Sequence, residues 1–131
     1  MFNKISIIGC GLIGSSILRA VKEKKLASKM SAYDKSPKVS EYLKKNFSVE
    51  ICTNISDVVK DSDLVIIASP LSSYKEILLS IQSNLKENVI LTDTGSAKKE
   101  VNKIISNLKL KKVNWIASHP IAGTEYSGPE A

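Results

Sequence analysis

Apolar and polar positions along this chain fall in blocks more than they alternate residue by residue. Ile5-Ser6-Ile7-Ile8 is a short run rich in β-branched residues, and Leu64-Val65-Ile66-Ile67-Ala68 is unbroken. Runs of this kind mark strands buried on both faces, as in a parallel sheet with helices above and below. Asn88–Thr92 reads as another such strand, and Val113–Ile116 as a sixth strand. Between the runs, apolar residues recur at helical spacing, as in Val39, Tyr42, Leu43 and Phe47, or Val101, Ile104, Ile105 and Leu108. The pattern predicts a helix over about 12–25, a strand over 29–33 and a helix opened by Ser36-Pro37. It then predicts a short strand over about 48–52, a short helix over 54–59, a helix over 72–85 and another over 97–108. Residues 118–131 show no periodicity. Strand and helix alternate throughout, so the expected fold is α/β, a Rossmann-type doubly wound parallel sheet.

The first strand runs straight into Gly9-Cys10-Gly11-Leu12-Ile13-Gly14, a full G-x-G-x-x-G, and a helix follows at once. Strand, glycine turn and helix in that order are the setting of the dinucleotide fingerprint. The first glycine allows the tight turn, the second lets a pyrophosphate approach the backbone, and the third lets helix and strand pack closely. The helix start offers unpaired N–H groups and a positive dipole end. Asp34 stands at the end of the next strand, twenty residues beyond Gly14, where an acid accepts the ribose hydroxyls of NAD. A glycine turn with an unrelated surface Asp is the alternative, and the common register of strand, helix and acid favours the nucleotide.

Composition narrows the picture. At 131 residues, the chain is expected to form one nucleotide-binding domain over its whole length. Its net charge is +6, but Arg19 is the only arginine and the lysines are scattered. They read as a solvated face, since a nucleic-acid site brings clustered arginines with interleaved aromatics. The two cysteines, Cys10 and Cys52, suit free thiols in a reducing compartment better than a disulfide that would distort the glycine loop. No apolar run approaches a membrane span and no signal region precedes the first strand, so a cytoplasmic protein without membrane or metal is expected.

In a doubly wound sheet, ligands bind outside the carboxyl ends of the strands. The polar clusters fall there: Gly9–Gly14, Asp34, Ser69-Pro70, Asp93–Ser96 and Ser118-His119-Pro120. The expected cofactor residues are Gly9, Gly11, Leu12, Ile13, Gly14, Asp34, Ser69 and Pro70. His119 is the only histidine. A lone histidine is more often structural, but this one follows a strand end in a fold equipped for a nicotinamide. Oxidising an alcohol by hydride transfer needs a base at the hydroxyl, and imidazole can serve near neutral pH.

GCGLIGSS, DTGSAK and SHPIAGTEYSG together resemble the prephenate dehydrogenases and their arogenate-using relatives, along essentially the whole chain. The first motif is shared by many dehydrogenases; the HPIAGTE stretch is far more specific. The resemblance implies NAD-dependent oxidative decarboxylation of prephenate to 4-hydroxyphenylpyruvate, in tyrosine biosynthesis. It implies that His119 takes the proton of the ring hydroxyl and that Ser96 assists at the same hydroxyl. Ser96, Gly123, Thr124 and Glu125 would line the substrate pocket. Family members continue into a C-terminal helical domain that supplies arginine contacts to substrate and makes a homodimer. That domain is expected to be absent here, leaving the cofactor half with poor turnover of its own.

NAD is expected in preference to NADP because Asp34 would repel a 2′-phosphate, although Lys35 and Ser36 beside it would soften that discrimination. Two other classes fit the cofactor half: a different hydroxyacid dehydrogenase, which would place its base on a helix, and a non-catalytic NAD-binding module, which would not need His119 or Ser96.

Overall fold

The computed structural model describes residues 2–47, 49–94, 98–108 and 113–116. Strand β1 (Phe2–Ile8) lies inside the sheet, and its residues Ile5 to Ile8 are all buried. It pairs in parallel with β2 (Ala27–Tyr33) on one side and β4 (Leu64–Ile67) on the other. The two-residue β3 (Glu50–Ile51) extends one edge; β5 (Val89–Asp93) and β6 (Val113–Ile116) extend the other. All pairs are parallel, in the order β3-β2-β1-β4-β5-β6. The order therefore reverses between β1 and β4, which opens a crevice at their carboxyl ends.

Alternate residues of the buried strands feed two cores. On one face, α1 (Leu12–Glu23) and α2 (Pro37–Asn46) pack Leu18, Val21, Leu43 and Phe47 against Ile5, Ile7, Ala32 and Ile66. On the other, α3 (Ile55–Val58), α4 (Tyr74–Ile81) and α5 (Lys98–Leu108) cover Ile8, Val65, Ile67, Val89 and Leu91. Each fully buried Leu or Ile contributes about 1.5–3 kcal/mol by leaving water. The same alternation puts Ser6 on the second face. Its hydroxyl donates to the Val58 carbonyl at 2.5 Å and shares a hydrogen bond with Ser62, which makes its complete burial tolerable.

Two expected elements come out differently. The helix over 72–85 is three pieces: a 3₁₀ turn at Leu71–Ser73, α4, and a second 3₁₀ turn at Gln82–Asn84. Pro70 fixes an extended backbone just before, so the first turn forms tightly. At the far end the Asn84 side chain donates to the Ser56 carbonyl at 2.6 Å, tying the last turn to α3. The strand over 48–52 is observed as Glu50–Ile51, paired with Ser31 and Ala32 of β2. Among the described residues no helix is long and apolar enough to cross a membrane.

Candidate functional site

The crevice at the switch point begins with Gly9, whose φ of 89° lies in the region open to glycine. A Cβ there would collide with the Ser69 hydroxyl and sit 2.9 Å from the Ala68 carbonyl carbon and the Ser69 nitrogen. The turn is closed by Gly9 N–H donating to the Tyr33 carbonyl at 2.8 Å and by Ser15 Oγ donating to the Cys10 carbonyl at 2.8 Å. Gly14 lies under this turn: a Cβ would run into the Gly9 carbonyl oxygen. Both glycines are therefore demanded by the protein's own packing.

Gly11 is different. It is the N-cap of α1 with φ of −70°, which any residue can adopt, and a Cβ built there meets nothing within 4 Å. No side chain caps α1, and its first turn carries no acid. The partial positive charge of the helix start is thus met by no cap or acid of α1 itself and faces open space. An anion with bulk, such as a pyrophosphate, fits that combination: a bare backbone, a helix start and room.

Asp34 sits half-buried one residue past β2. Its two oxygens accept backbone N–H groups from Cys10 at 2.7 Å and Ser36 at 2.9 Å. The carboxylate is thereby fixed against the glycine turn, and each oxygen keeps a lone pair for a further donor. On the far side of the switch, the Ala68 N–H and the Ser69 hydroxyl both donate to the Ile8 carbonyl, at 2.8 and 3.3 Å, and Pro70 turns the chain away. The Thr94 N–H donates to the Ile67 carbonyl at 3.1 Å, bringing the exit of β5 alongside.

These segments enclose a groove of about 710 Å³, within the usual range for a cofactor-sized ligand. Of the expected cofactor residues, Gly9, Gly11, Ile13, Asp34, Ser69 and Pro70 line it. Gly14 lies beneath the turn, and Leu12 points to solvent, 63% exposed. Ser96, His119, Gly123, Thr124 and Glu125 lie outside the described residues. The sequence reading missed the groove's apolar wall, Ile55, Leu71 and Ile77. They come from three separate elements, so no spacing in the chain links them. Asp93, in the strand-end cluster Asp93–Ser96, has a partner that the sequence does not mark. That carboxylate is fully buried at the end of β5 and accepts from the Tyr74 hydroxyl at 3.1 Å.

Cys10, inside the glycine turn, is buried, and burial foremost, with the nearby Asp34 charge, pushes its thiol up to about 12. It stays protonated near neutral pH and is no nucleophile. Among the described residues no group of His, Cys, Asp and Glu could hold a metal ion.

Comparison with known proteins agrees with this geometry. Residues 17–131 match the family model described as prephenate dehydrogenase, nucleotide-binding domain. A cyclohexadienyl dehydrogenase of Zymomonas mobilis is 38% identical over all of this chain, which covers 45% of that protein. A prephenate dehydrogenase of Lactococcus lactis is 33% identical over 95% of the chain and 36% of its own length. The crystal structure of a prephenate dehydrogenase from Aquifex aeolicus, in complex with hydroxyphenyl propionate and NAD+, superposes with a TM-score of 0.81 at 29% identity. The match covers 99% of this chain and 46% of that one. The chain thus spans about half, or less, of the length of these relatives.

Proposed function

Since the chain belongs to the prephenate dehydrogenase nucleotide-binding family, we propose that it is the NAD-binding half of an enzyme that oxidises and decarboxylates prephenate to 4-hydroxyphenylpyruvate, for tyrosine biosynthesis. The observation that carries the cofactor is Gly11, a bare position at an uncapped helix start that the protein's own packing does not require. The pyrophosphate would lie over Gly11 and the start of α1. The adenosine ribose would donate its hydroxyls to Asp34, and Ile55, Leu71 and Ile77 offer an apolar wall beside it. Asp34 selects NAD over NADP by repelling a 2′-phosphate. When bound, the nicotinamide supplies hydride acceptance.

The chemistry beyond binding is assigned by motif. His119 accepts the proton of the ring hydroxyl, and must be neutral to do so. Ser96 hydrogen-bonds the same hydroxyl and keeps it aimed. Gly123, Thr124 and Glu125 line the substrate side. Loss of the ring carboxylate as carbon dioxide makes the ring aromatic and supplies driving force. In the complete protein, contacts to the substrate carboxylates and the homodimer are assigned, by the resemblance alone, to a further helical domain.

Fluorescence titration of this chain with NADH tests the cofactor assignment: saturable binding is expected, weakened about tenfold or more by Asp34→Ala. Absence of binding would remove it. In the complete protein, His119→Asn is expected to lower kcat by about 10²–10⁴-fold while NADH still binds. Unchanged turnover would favour a base borne elsewhere.

A further inference from the structure

The segment formed by the 3₁₀ turn at Leu71–Ser73 and α4 touches two different parts of the molecule. Leu71, Glu76 and Ile77 line the groove. Tyr74 does not line it: the side chain is buried in the core, and its hydroxyl donates to Asp93 at 3.1 Å. Asp93 is the last residue of β5 and stands level with Ile67 at the end of β4. The next residue, Thr94, donates its N–H to the Ile67 carbonyl and does line the groove. Ser96 follows two residues later in the sequence. One hydrogen bond thus joins the segment that walls the groove to the strand exit that leads to Ser96. A polar pair is an expensive way to make that join. The other buried residues of β5, Val89 and Leu91, are apolar. Burying polar groups costs free energy that their hydrogen bond only offsets, and an apolar pair of similar volume often holds two elements together as well or better. What the hydrogen bond adds is direction, since it weakens steeply when its angle is lost.

We propose that Tyr74 and Asp93 are a positioning pair, which passes the seating of a cofactor against Leu71 and Ile77 on to Thr94 and the residues after it, and so sets Ser96 for the reaction. The proposal rests on the reading of the groove as a nicotinamide-cofactor site and of Ser96 as the residue at the ring hydroxyl. Neither Tyr74 nor Asp93 has to touch cofactor or substrate; both act through the strand exit. A cofactor lying on the apolar wall restrains the segment that carries Tyr74. The directional bond to Asp93 carries that restraint through the core to the end of β5, a packed and hydrogen-bonded contact of the kind that couples separate parts of a site. An apolar contact at the same place would hold α4 to β5 without fixing the angle at which the chain leaves the sheet.

Amide hydrogen exchange of the chain, with and without NADH, tests this. In the wild type, NADH is expected to slow exchange both at the glycine turn, 9–14, and at the strand exit, 94–96. Two variants separate direction from stability. Tyr74→Phe removes the donor and keeps the ring. Tyr74→Phe with Asp93→Leu replaces the whole pair by an apolar contact of similar shape, and should unfold at higher urea than Tyr74→Phe alone. In both variants NADH should still bind and protect 9–14, because neither position lines the groove, while the protection at 94–96 is lost. In the complete protein the double variant should lower kcat more than it raises the KM for NAD. Protection at 94–96 that survives in the double variant would overturn the positioning role and leave the pair to packing alone. Wild-type chain protected at 9–14 but not at 94–96 would overturn it too. If Tyr74→Phe does not fold by circular dichroism, the double variant carries the comparison. Wild-type chain with no NADH-dependent protection at either place would overturn the cofactor reading, and this proposal with it.

Discussion

The three glycines of the turn carry in the fold the three different duties that their places in the motif imply. Gly9→Ala forces a side chain into a left-handed backbone and onto the Ala68–Ser69 peptide. A loss of about 2–4 kcal/mol in urea unfolding is expected. Gly11→Ala meets no protein atom, so stability should change by less than about 1 kcal/mol, while NADH affinity falls because the new methyl group occupies the space over the helix start. Measuring both quantities for both variants separates a glycine kept for folding from one kept for a ligand. The motif assigned each glycine its duty but could not name the atoms that enforce the first, because Ala68 and Ser69 arrive from the end of another strand. Cys10 belongs at this scale too. Its thiol, buried and pushed up to about 12, should resist Ellman's reagent at mildly alkaline pH in the native chain. Cys52, half-exposed, should react. Two fast-reacting thiols before denaturation would contradict the packing of the turn.

At the scale of elements, the strands and helices were legible because burial on both faces leaves uninterrupted apolar runs, and α2 announces itself with Ser36-Pro37. Illegible parts depended on neighbours. β3 pairs with β2 over two residues only, and the 3₁₀ turn after α4 is tied to α3 by Asn84 reaching Ser56. The Tyr74–Asp93 hydrogen bond joins α4 to the end of β5, and nothing in the local sequence of either segment links them. Tyr74 is 1% exposed and Asp93 fully buried. Tyr74→Phe keeps the ring's packing and removes one donor from a buried carboxylate, so a loss of about 1–3 kcal/mol is expected. Urea unfolding checks it. Because β5 leads directly into Thr94-Gly95-Ser96, the same variant in the complete protein should lower kcat more than it raises the KM for NAD. An equal effect on both would mean that the contact serves stability only.

Across the whole molecule, the two ends of the sheet do different work. The carboxyl edge carries the groove, and its site was only half legible: the glycine turn and Asp34 are sequence signals, whereas the apolar wall is assembled by the sheet from distant segments. The amino edge is closed by Asp63, which no motif marked. Its carboxylate accepts the Asn3 N–H at 2.7 Å and the Lys4 N–H at 3.4 Å, and pairs with Lys86. Its backbone N–H donates to the Lys4 carbonyl at 3.0 Å, and its carbonyl accepts the Ile90 N–H at 2.9 Å. One residue thus fastens the starts of β1, β4 and β5. The Lys86 ammonium group foremost, with the two amides, holds its carboxyl below the ordinary 3.8. A group with a depressed folded pKa stabilises the native state above its unfolded pKa and loses that contribution as pH falls through the folded one. Stability should therefore hold steady above about pH 4 and drop in acid below it, and Asp63→Asn should lower the plateau and flatten the drop. Urea midpoints from about pH 3 to 7 check this. NADH affinity, read in the same variant near neutral pH, should stay at the wild-type value, because the substitution acts at the edge of the sheet away from the groove. A variant that lost affinity in step with stability would mean that the groove depends on the amino edge more than this architecture allows.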